Sequence, residues 1–426
     1  MREWKETDYG NIPMDWDIKT VDEIKSKEKK ALISGPFGSN ISAKYFVEKG
    51  VPVIRGNNLS LDLSKKFNDS GFVFITNEKA IELGTWAEKN DLIFTAVGTI
   101  GQVGILTGKE DFKKYIISNK QIRLKVDENI VHPLYAYYWF ASPIITDIIL
   151  QRNTGSSVPL INLSVLKSLL IPTPSKKEQL SILKVLSSID AKIDLLHRQN
   201  ATLEAMAETL FRQWFVEEAK EDWEDATLDK HTEVFRGLSY KGSGLAEHGI
   251  GLPMHNLNSV YEGGGYKYEG IKFYTGDYRE RHLIEVGDII VTNTEQGHDL
   301  KLIGFPAIVP NTYGNKGLFS QHIYKLSPLT DTFLSKEFIY YLLMTPSVRE
   351  QITAATNGST VNMLAIDGLQ RPEFKLPPKE KVIEFTIIVS NYWKKKNINQ
   401  TQIRTLTNLR DTLLPKLMSG EVRVAF

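Results

Sequence analysis

Cysteine is absent from all 426 residues. That removes disulfide frameworks and thiolate metal sites in one step. No run approaches the roughly 18 consecutive apolar residues of a membrane span, so none is expected. The opening MREWKETDYG lacks the apolar stretch of a secretion signal, and the expected location is the cytoplasm. Charge of one sign is lacking as well: 52 Lys and Arg stand against 51 Asp and Glu. Residues 1–173 carry 22 basic against 20 acidic side chains, and residues 219–375 carry 15 against 20. Nucleic-acid binders usually show a basic footprint, so charge argues against one unless positive surface is local or supplied by a partner. Residues 376–426 hold 9 basic against 4 acidic groups, including Lys394, Lys395 and Lys396. Such a run reads first as a solvated helix face.

The common catalytic signatures are also missing. There is no G-x-x-x-x-G-K-[ST] phosphate loop, no H-E-x-x-H zinc pair and no G-x-S-x-G elbow. The adenine-methylating tetrapeptide, Asn or Asp before Pro-Pro and an aromatic, does not occur; the only Pro-Pro lies in LPPK. No paired carboxylates with a lysine suggest a metal-dependent nuclease. The eight histidines are scattered, and His132 and His197 read as structural or surface residues rather than ligands. A non-catalytic chain without a metal site is expected.

What is present is a repeat. NTGSSV (153–158) returns as TNGSTV (356–361), YAYYWFASP (135–143) as FIYYLLMTP (338–346), and IPTPSKKEQ (171–179) as FKLPPKEKV (374–382), each 203 residues later. Upstream, DLIFT (91–95) answers DIIVT (288–292) at 197, and VIRGNNL (53–59) loosely answers LPMHNLN (252–258) at 199. Five pairs in one order mark a duplicated architecture. The first part of each half (1–173 and 219–375) is rich in Gly, Pro, Asn and short β-branched runs. It predicts a mixed α/β domain with short strands and long loops. The second part (174–218 and 376–426) reads as a long helix, with Pro174 and Pro377-Pro378 at the first-turn position that proline tolerates.

Both helices carry a heptad seam. In the first, Ile182, Ile189, Leu196, Leu203 and Leu210 alternate with Leu186, Ile193, Asn200, Ala207 and Trp214. In the second the series is Phe385, Val389, Tyr392, Lys396, Asn399, Ile403, Leu406, Arg410, Leu413 and Leu417. Each helix should span roughly 60 Å. Pro415 should kink the last turns of the second, and Gly420 should end it. The pair predicts a helical hairpin holding two domains apart; the alternative is that each helix packs only on its own domain.

The glycine-bearing loops offer hydrogen bonds rather than nucleophiles. SGPFGSN (34–40) and VGTIGQVG (97–104) in the first half face NLNS, NTEQGHD (293–299) and SQH (320–322) in the second. Glycine permits close backbone approach; Asn and Gln pair with adenine, Arg and Lys with guanine.

At this point the sequence resembles a known family, the specificity subunits of type I restriction–modification systems. The resemblance runs over essentially the whole chain. It is carried by the helix openings PSKKEQLSIL and PPKEKVIEF, by SSIDAKID (187–194) and TLEAMAETLFRQWF (202–215), and by LLPKLMSGEV (413–422). GDIIVTNTEQGHDLKLIGFPAIVP (287–310) looks like a recognition-domain subtype of that family. The resemblance implies two pseudo-symmetric α/β (α+β) target-recognition domains separated by a long antiparallel two-helix coiled coil. It implies reading of a bipartite double-stranded DNA target, one half-site per domain, with the helix length setting the gap. Two methylase subunits and the restriction subunits would dock on the helices and bring S-adenosylmethionine, ATP and Mg, leaving no cofactor on this chain.

For DNA contacts the expected residues are Arg55, Asn57, Asn58, Thr99, Gln102, Lys120 and Gln121 in the first domain. In the second they are Asn256, Asn258, Thr294, Gln296, Gln321 and His322. The twin turns add Thr154, Ser156, Ser157, Asn357, Ser359 and Thr360, either as phosphate contacts or as caps of the domain-to-helix junction. For partner docking the expected residues are Ile182, Ile189, Leu196, Asn200, Leu203, Leu210, Trp214, Phe385, Tyr392, Ile403, Leu406, Leu413 and Leu417. Two rival readings remain: a specificity chain serving a fused nuclease–methylase, and a tandem-repeat adaptor that binds protein.

Overall fold

A computed structural model describes residues 3–7, 10–297, 299–358 and 361–424. The chain packs as two units, one of residues 1–195 with 404–426, the other of residues 196–403. Their sheets share one topology. In the first unit a five-stranded sheet runs Phe46–Val47, Val73–Ile75, Val51–Ile54, Lys114–Ile117, Trp86–Glu88. In the second the same order is Leu245–Ala246, Lys272–Tyr274, Leu252–His255, Lys316–Phe319, Leu283–Glu285. In each sheet only the third and fourth strands are parallel. A four-stranded antiparallel sheet accompanies each, with Leu92–Thr95 matching Ile289–Thr292 and Gln121–Leu124 matching Ile323–Pro328. The register pairs Val53 with Ile116 and Met254 with Leu318, so Val53 corresponds to Met254 at an offset of 201. The loose sequence match at 199 was two residues out, because few side chains are shared there.

The repeated aromatic motif builds each core. The helix Pro133–Phe140 buries Tyr135, Tyr137, Tyr138 and Phe140 completely, and Lys336–Met344 buries Phe338, Ile339 and Leu343 in the second unit. A short helix that is apolar all round belongs inside. Around Phe338 in the second unit, Phe211, Phe215 and Phe385 bring ring centroids within 5.0 to 5.5 Å of one another. Such pairs add about 0.5–1.5 kcal/mol each beyond their burial.

The central helix runs Lys176–Arg212 and continues as a π-turn over Gln213–Glu217; the C-terminal helix runs Lys379–Met418. Within the first unit, Glu178 takes Arg423 at 2.6 Å and Asp190 takes Arg410 at 3.3 Å. Within the second, Asn200 accepts from Asn399 at 2.9 Å and Glu218 pairs with Lys381 at 3.1 Å. One residue number falls as the other rises, so the helices pack antiparallel in both units. The seam also joins the domain cores: Ile182, Leu183 and Leu186 pack with Leu414, Leu417 and Met418 in the first, Ala207 and Phe211 with Phe385 and Val389 in the second. Helix pairing and helix-on-domain packing therefore coexist.

Two local expectations change. Ser175 caps the central helix, its Oγ accepting from Glu178 N at 3.3 Å, so Pro174 lies just outside rather than in the first turn. Pro378 likewise precedes the first residue of its helix, Lys379. The C-terminal helix continues through Pro415 to Met418, and Gly420 follows at φ +75°. There a Cβ would come within 2.4 Å of Pro13.

A candidate nucleic-acid interface

Two neighbouring parallel strands end side by side, so the loops that leave them meet. In the first unit, Val51–Ile54 is followed by Arg55, Gly56 and Asn57, and Lys114–Ile117 by Ser118, Asn119 and Lys120. Between these loops and the 95–102 segment lies an open cleft of about 550 Å³. Arg55, Asn57, Thr99, Gln102, Lys120 and Gln121, all expected from the sequence, line it. The position is the one that open α/β sheets use for ligands, beyond the carboxyl ends of strands.

Local chemistry explains the shape. Gly35 passes so close to the strand end that a Cβ would lie 1.8 Å from the Ser118 carbonyl oxygen, and Gly237 stands in the same relation to Ser320 at 2.1 Å. No other residue type fits either place. Gln121 is fully buried; its amide nitrogen donates to the Ile54 carbonyl (3.3 Å) and its oxygen accepts from Gly56 N (3.2 Å). Gln102 Nε2 donates to the Leu59 carbonyl at 3.2 Å, and Thr95 donates to its Oε1 at 3.0 Å. Arg55 Nη2 and Asn57 Nδ2 both donate to the Gly71 carbonyl, at 3.1 and 3.2 Å, which orients them along the cleft wall. Arg55 Nε is buried with no partner. Thr99 and Lys120 are exposed.

Asn58 is a correction. It is fully buried, its nitrogen donating to the Asn68 and Ser70 carbonyls and its oxygen accepting from Arg55 N, all at 2.9 Å. It folds the loop and presents nothing outward. Asn256 is the same correction in the second unit: buried, accepting from Asn258 N at 2.9 Å and donating to the Gly270 carbonyl at 2.7 Å.

The other second-unit residues gather at the equivalent corner. Thr294 Oγ1 lies 3.2 Å from His322 Nδ1, and Gln321 Nε2 lies 3.2 Å from His322 Nε2. Gln296, Gln321, His322 and Asn258 are exposed, while Thr294 is buried. The acidic side chain in NTEQGHD has a structural task. Glu295 accepts from the backbone amides of Lys301, Leu302 and Ile303 at 2.8 to 3.0 Å, folding the loop back on itself.

The twin turns belong to these corners and not to the helix junction. Thr154 N donates to Leu160 O, Gly98 N to Pro159 O and Ile161 N to Ala96 O, all at 2.9 Å. In the second unit Thr294–Gln296 pairs with Val361–Leu364, which pairs back with Thr356–Asn357. Gly155 and Gly358 hold the two tight points, where a Cβ would meet Val158 O at 1.9 Å and Val361 O at 2.1 Å. Thr154, Ser156, Ser157 and Asn357 are exposed on them or beside them; Ser359 and Thr360 lie outside the described residues.

Sequence reasoning passed over Asn119 in the first corner and Asn293 and Ser320 in the second. Asn293 Oδ1 and Ser320 Oγ are buried without partners, like Arg55 Nε. Asn119 and Ser320 follow the parallel strands and Asn293 follows Ile289–Thr292, but the strand pairing that brings such residues together was not visible.

The helix seam is a further correction. Ile182, Ile189, Leu196, Phe385, Ile403 and Leu417 are buried within the chain, and Asn200, Leu203, Leu210, Trp214, Tyr392, Leu406 and Leu413 are partly buried. They hold the chain to itself. The apolar side chains facing solvent are others: Leu180 and Leu195 in the first unit, Met206, Ile383, Ile387 and Ile398 in the second. Among the described residues no helix is long and apolar enough to cross a membrane.

The model of the type I restriction–modification DNA specificity domain matches twice, over residues 13–205 and 220–408. The chain belongs to this family. It is a specificity subunit with two recognition domains and performs no catalysis of its own. Its relatives include the type I restriction enzyme MjaIX specificity subunit of Methanocaldococcus jannaschii, 27% identical with 99% of this chain and 97% of that one covered. The HindI specificity subunit of Haemophilus influenzae is 24% identical over 79% of this chain and 87% of its own length. Among solved structures, the type I S subunit from M. genitalium shares the fold at a TM-score of 0.54 and 18% identity, covering 95% of this chain and 96% of that one. The specificity subunit thus keeps the family's duplicated plan, with a polar corner at the same strand ends of each domain.

Proposed function

We propose that this specificity subunit reads a bipartite double-stranded DNA target, each recognition domain taking one half-site at its strand-end corner. The observation that carries the reading is the repetition of that corner: residues at matching strand ends in two domains, each corner dense in amide and hydroxyl groups and bounded by glycines that let a ligand approach, with Arg55 and Lys120 adding positive charge in the first. Arg55, Asn57, Thr99, Gln102 and Lys120 would contact DNA in the first domain, and Asn258, Gln296, Gln321 and His322 in the second. Thr154, Ser156, Ser157 and Asn357, beside those corners, suit phosphate oxygens.

Two methylase subunits and the restriction subunits would dock on the outward helix faces, where Leu180, Met206, Ile383 and Ile387 meet solvent. S-adenosylmethionine, ATP and Mg would be bound by those partners, in the cytoplasm. The boundaries that this reading assigns are recognition domains at 1–173 and 219–375 and helices at 174–218 and 376–426.

The test is to reconstitute the subunit with its methylase, sequence the modified DNA for methylated adenines, and titrate duplex binding against salt. Two short motifs separated by a fixed gap are expected, with affinity falling steeply as salt rises. Binding without sequence preference at every ionic strength would refute the reading and favour a protein-binding adaptor.

A further inference from the structure

Phe37 is 84% exposed. A phenylalanine normally hides most of its surface, and here the backbone prevents it from doing so. Gly35 is wedged against the Ser118 carbonyl, its N donating to Gln121 O at 2.9 Å. Pro36 fixes the next φ angle. Beyond it, Asn40 N donates to the Phe37 carbonyl at 2.8 Å, closing a 3-10 turn over Gly38–Ile41 that buries Ile41. A Cβ on Gly38 would sit 3.1 Å from the Asn119 amide. Ser118, Asn119, Gln121 and Ile41 are all cleft residues. The ring therefore stands, largely in solvent, on a short, braced turn packed beside Asn119 of the first domain's cleft.

We propose that Phe37 is a wedge whose ring enters the base stack of the half-site read by the first domain. The inference rests on the DNA reading of that cleft and adds an apolar insertion to it. Apolar side chains on minor-groove and architectural proteins part base steps in this way, the unstacking cost being offset by the contacts that a bent duplex allows. A phenyl ring also stacks on any base face, so the insertion needs no particular base.

The second domain lacks the device. Its equivalent of Gly35 is Gly237, and two residues on stands Ser239, where Phe37 stands in the first. The nearby Tyr240 is turned inward, with its ring 6.1 Å from Tyr274 and its hydroxyl accepting from Lys272 at 3.0 Å. At this position, therefore, an exposed ring stands in the first domain alone.

The experiment uses the assembled methylase complex and a duplex carrying the target mapped by adenine methylation. Permanganate reactivity of thymines reports unstacking in each half-site. For Phe37→Ala, enhanced reactivity in the first half-site should vanish while the second half-site keeps its pattern. Affinity for the target should drop on the order of tenfold, as for the loss of one aromatic stacking contact. Phe37→Trp should preserve both. Phe37 is 84% exposed, so the variant should fold as the parent does. An unchanged footprint and affinity in Phe37→Ala would overturn the proposal, as would a loss traced to weaker assembly with the methylase. Failure of the unsubstituted complex to prefer the mapped duplex would instead sink the DNA reading itself, so the two failures are distinct.

Discussion

Gln121 and Lys120 are adjacent in the chain and divide the work of the cleft between them. The buried Gln121 amide bridges Ile54 and Gly56; Lys120 projects into solvent. Gln121→Leu should cost about 1–3 kcal/mol of stability in urea unfolding, because two backbone groups lose a buried partner. Lys120→Ala should leave stability unchanged while weakening DNA binding and lowering the salt slope by about one. Polar residues in a glycine-rich loop read alike in sequence, which is why Asn58 and Asn256 were expected outside and stand inside. Burial depends on Asn68, Ser70 and Gly270, residues 10 to 14 positions away, and no local pattern announces them. Two buried groups titrate in opposite senses. Burial pulls His255 down to about 3, while burial, opposed by Arg123, pushes Asp91 up to about 6. Below its ordinary value near 6.5, the unfolded His255 takes a proton that the folded form refuses, so acid weakens the second unit. Between 3.8 and about 6 the folded Asp91 holds a proton that the unfolded form releases, so the same acidification strengthens the first. From pH 6 to 5, amide protection should fall along Leu252–His255 and rise along Leu92–Thr95, as hydrogen exchange would record.

At the scale of elements, long-period repetition made the two domains and two helices legible, since it survives even where individual side chains diverge. The heptad seam was legible as a buried stripe; its misreading as a docking face came from treating the helices as partnerless. Polar seam positions mark where the helices lock. Asn399 is fully buried and meets Asn200 at 2.9 Å; in the second unit Glu204 also holds Lys396 and Tyr341. Asn200→Ala should destabilise the second unit by about 1–3 kcal/mol, leaving the buried Asn399 amide only its 3.5 Å contact with Gln199 Oε1. Replacing both by leucine should recover that loss in denaturant titration while relaxing the register that a buried asparagine pair imposes. A leucine pair that unfolds as early as the single variant would contradict this account.

For the molecule as a whole, duplicated architecture with unlike corners means that the two readers can change separately. Exchange of residues 1–173 for another family member's first domain should alter one methylated half-site and leave the other intact; change in both would contradict independent reading. The overall charge, near balance at 52 against 51, gives this chain little net non-specific attraction to phosphate.

The first unit is assembled from both ends of the chain, with Arg423 on Glu178 and Asp15, and Gly420 against Pro13 and Trp16. The second is one continuous stretch, residues 196–403. On a ribosome the second can therefore close once residue 403 has emerged, whereas the first waits with Trp16, Ile182 and Leu186 uncovered until residues 404–423 emerge. A nascent chain halted short of residue 404 should engage holdase chaperones through residues 1–195 rather than 196–403, and synthesis through Arg423 is what seals the first unit.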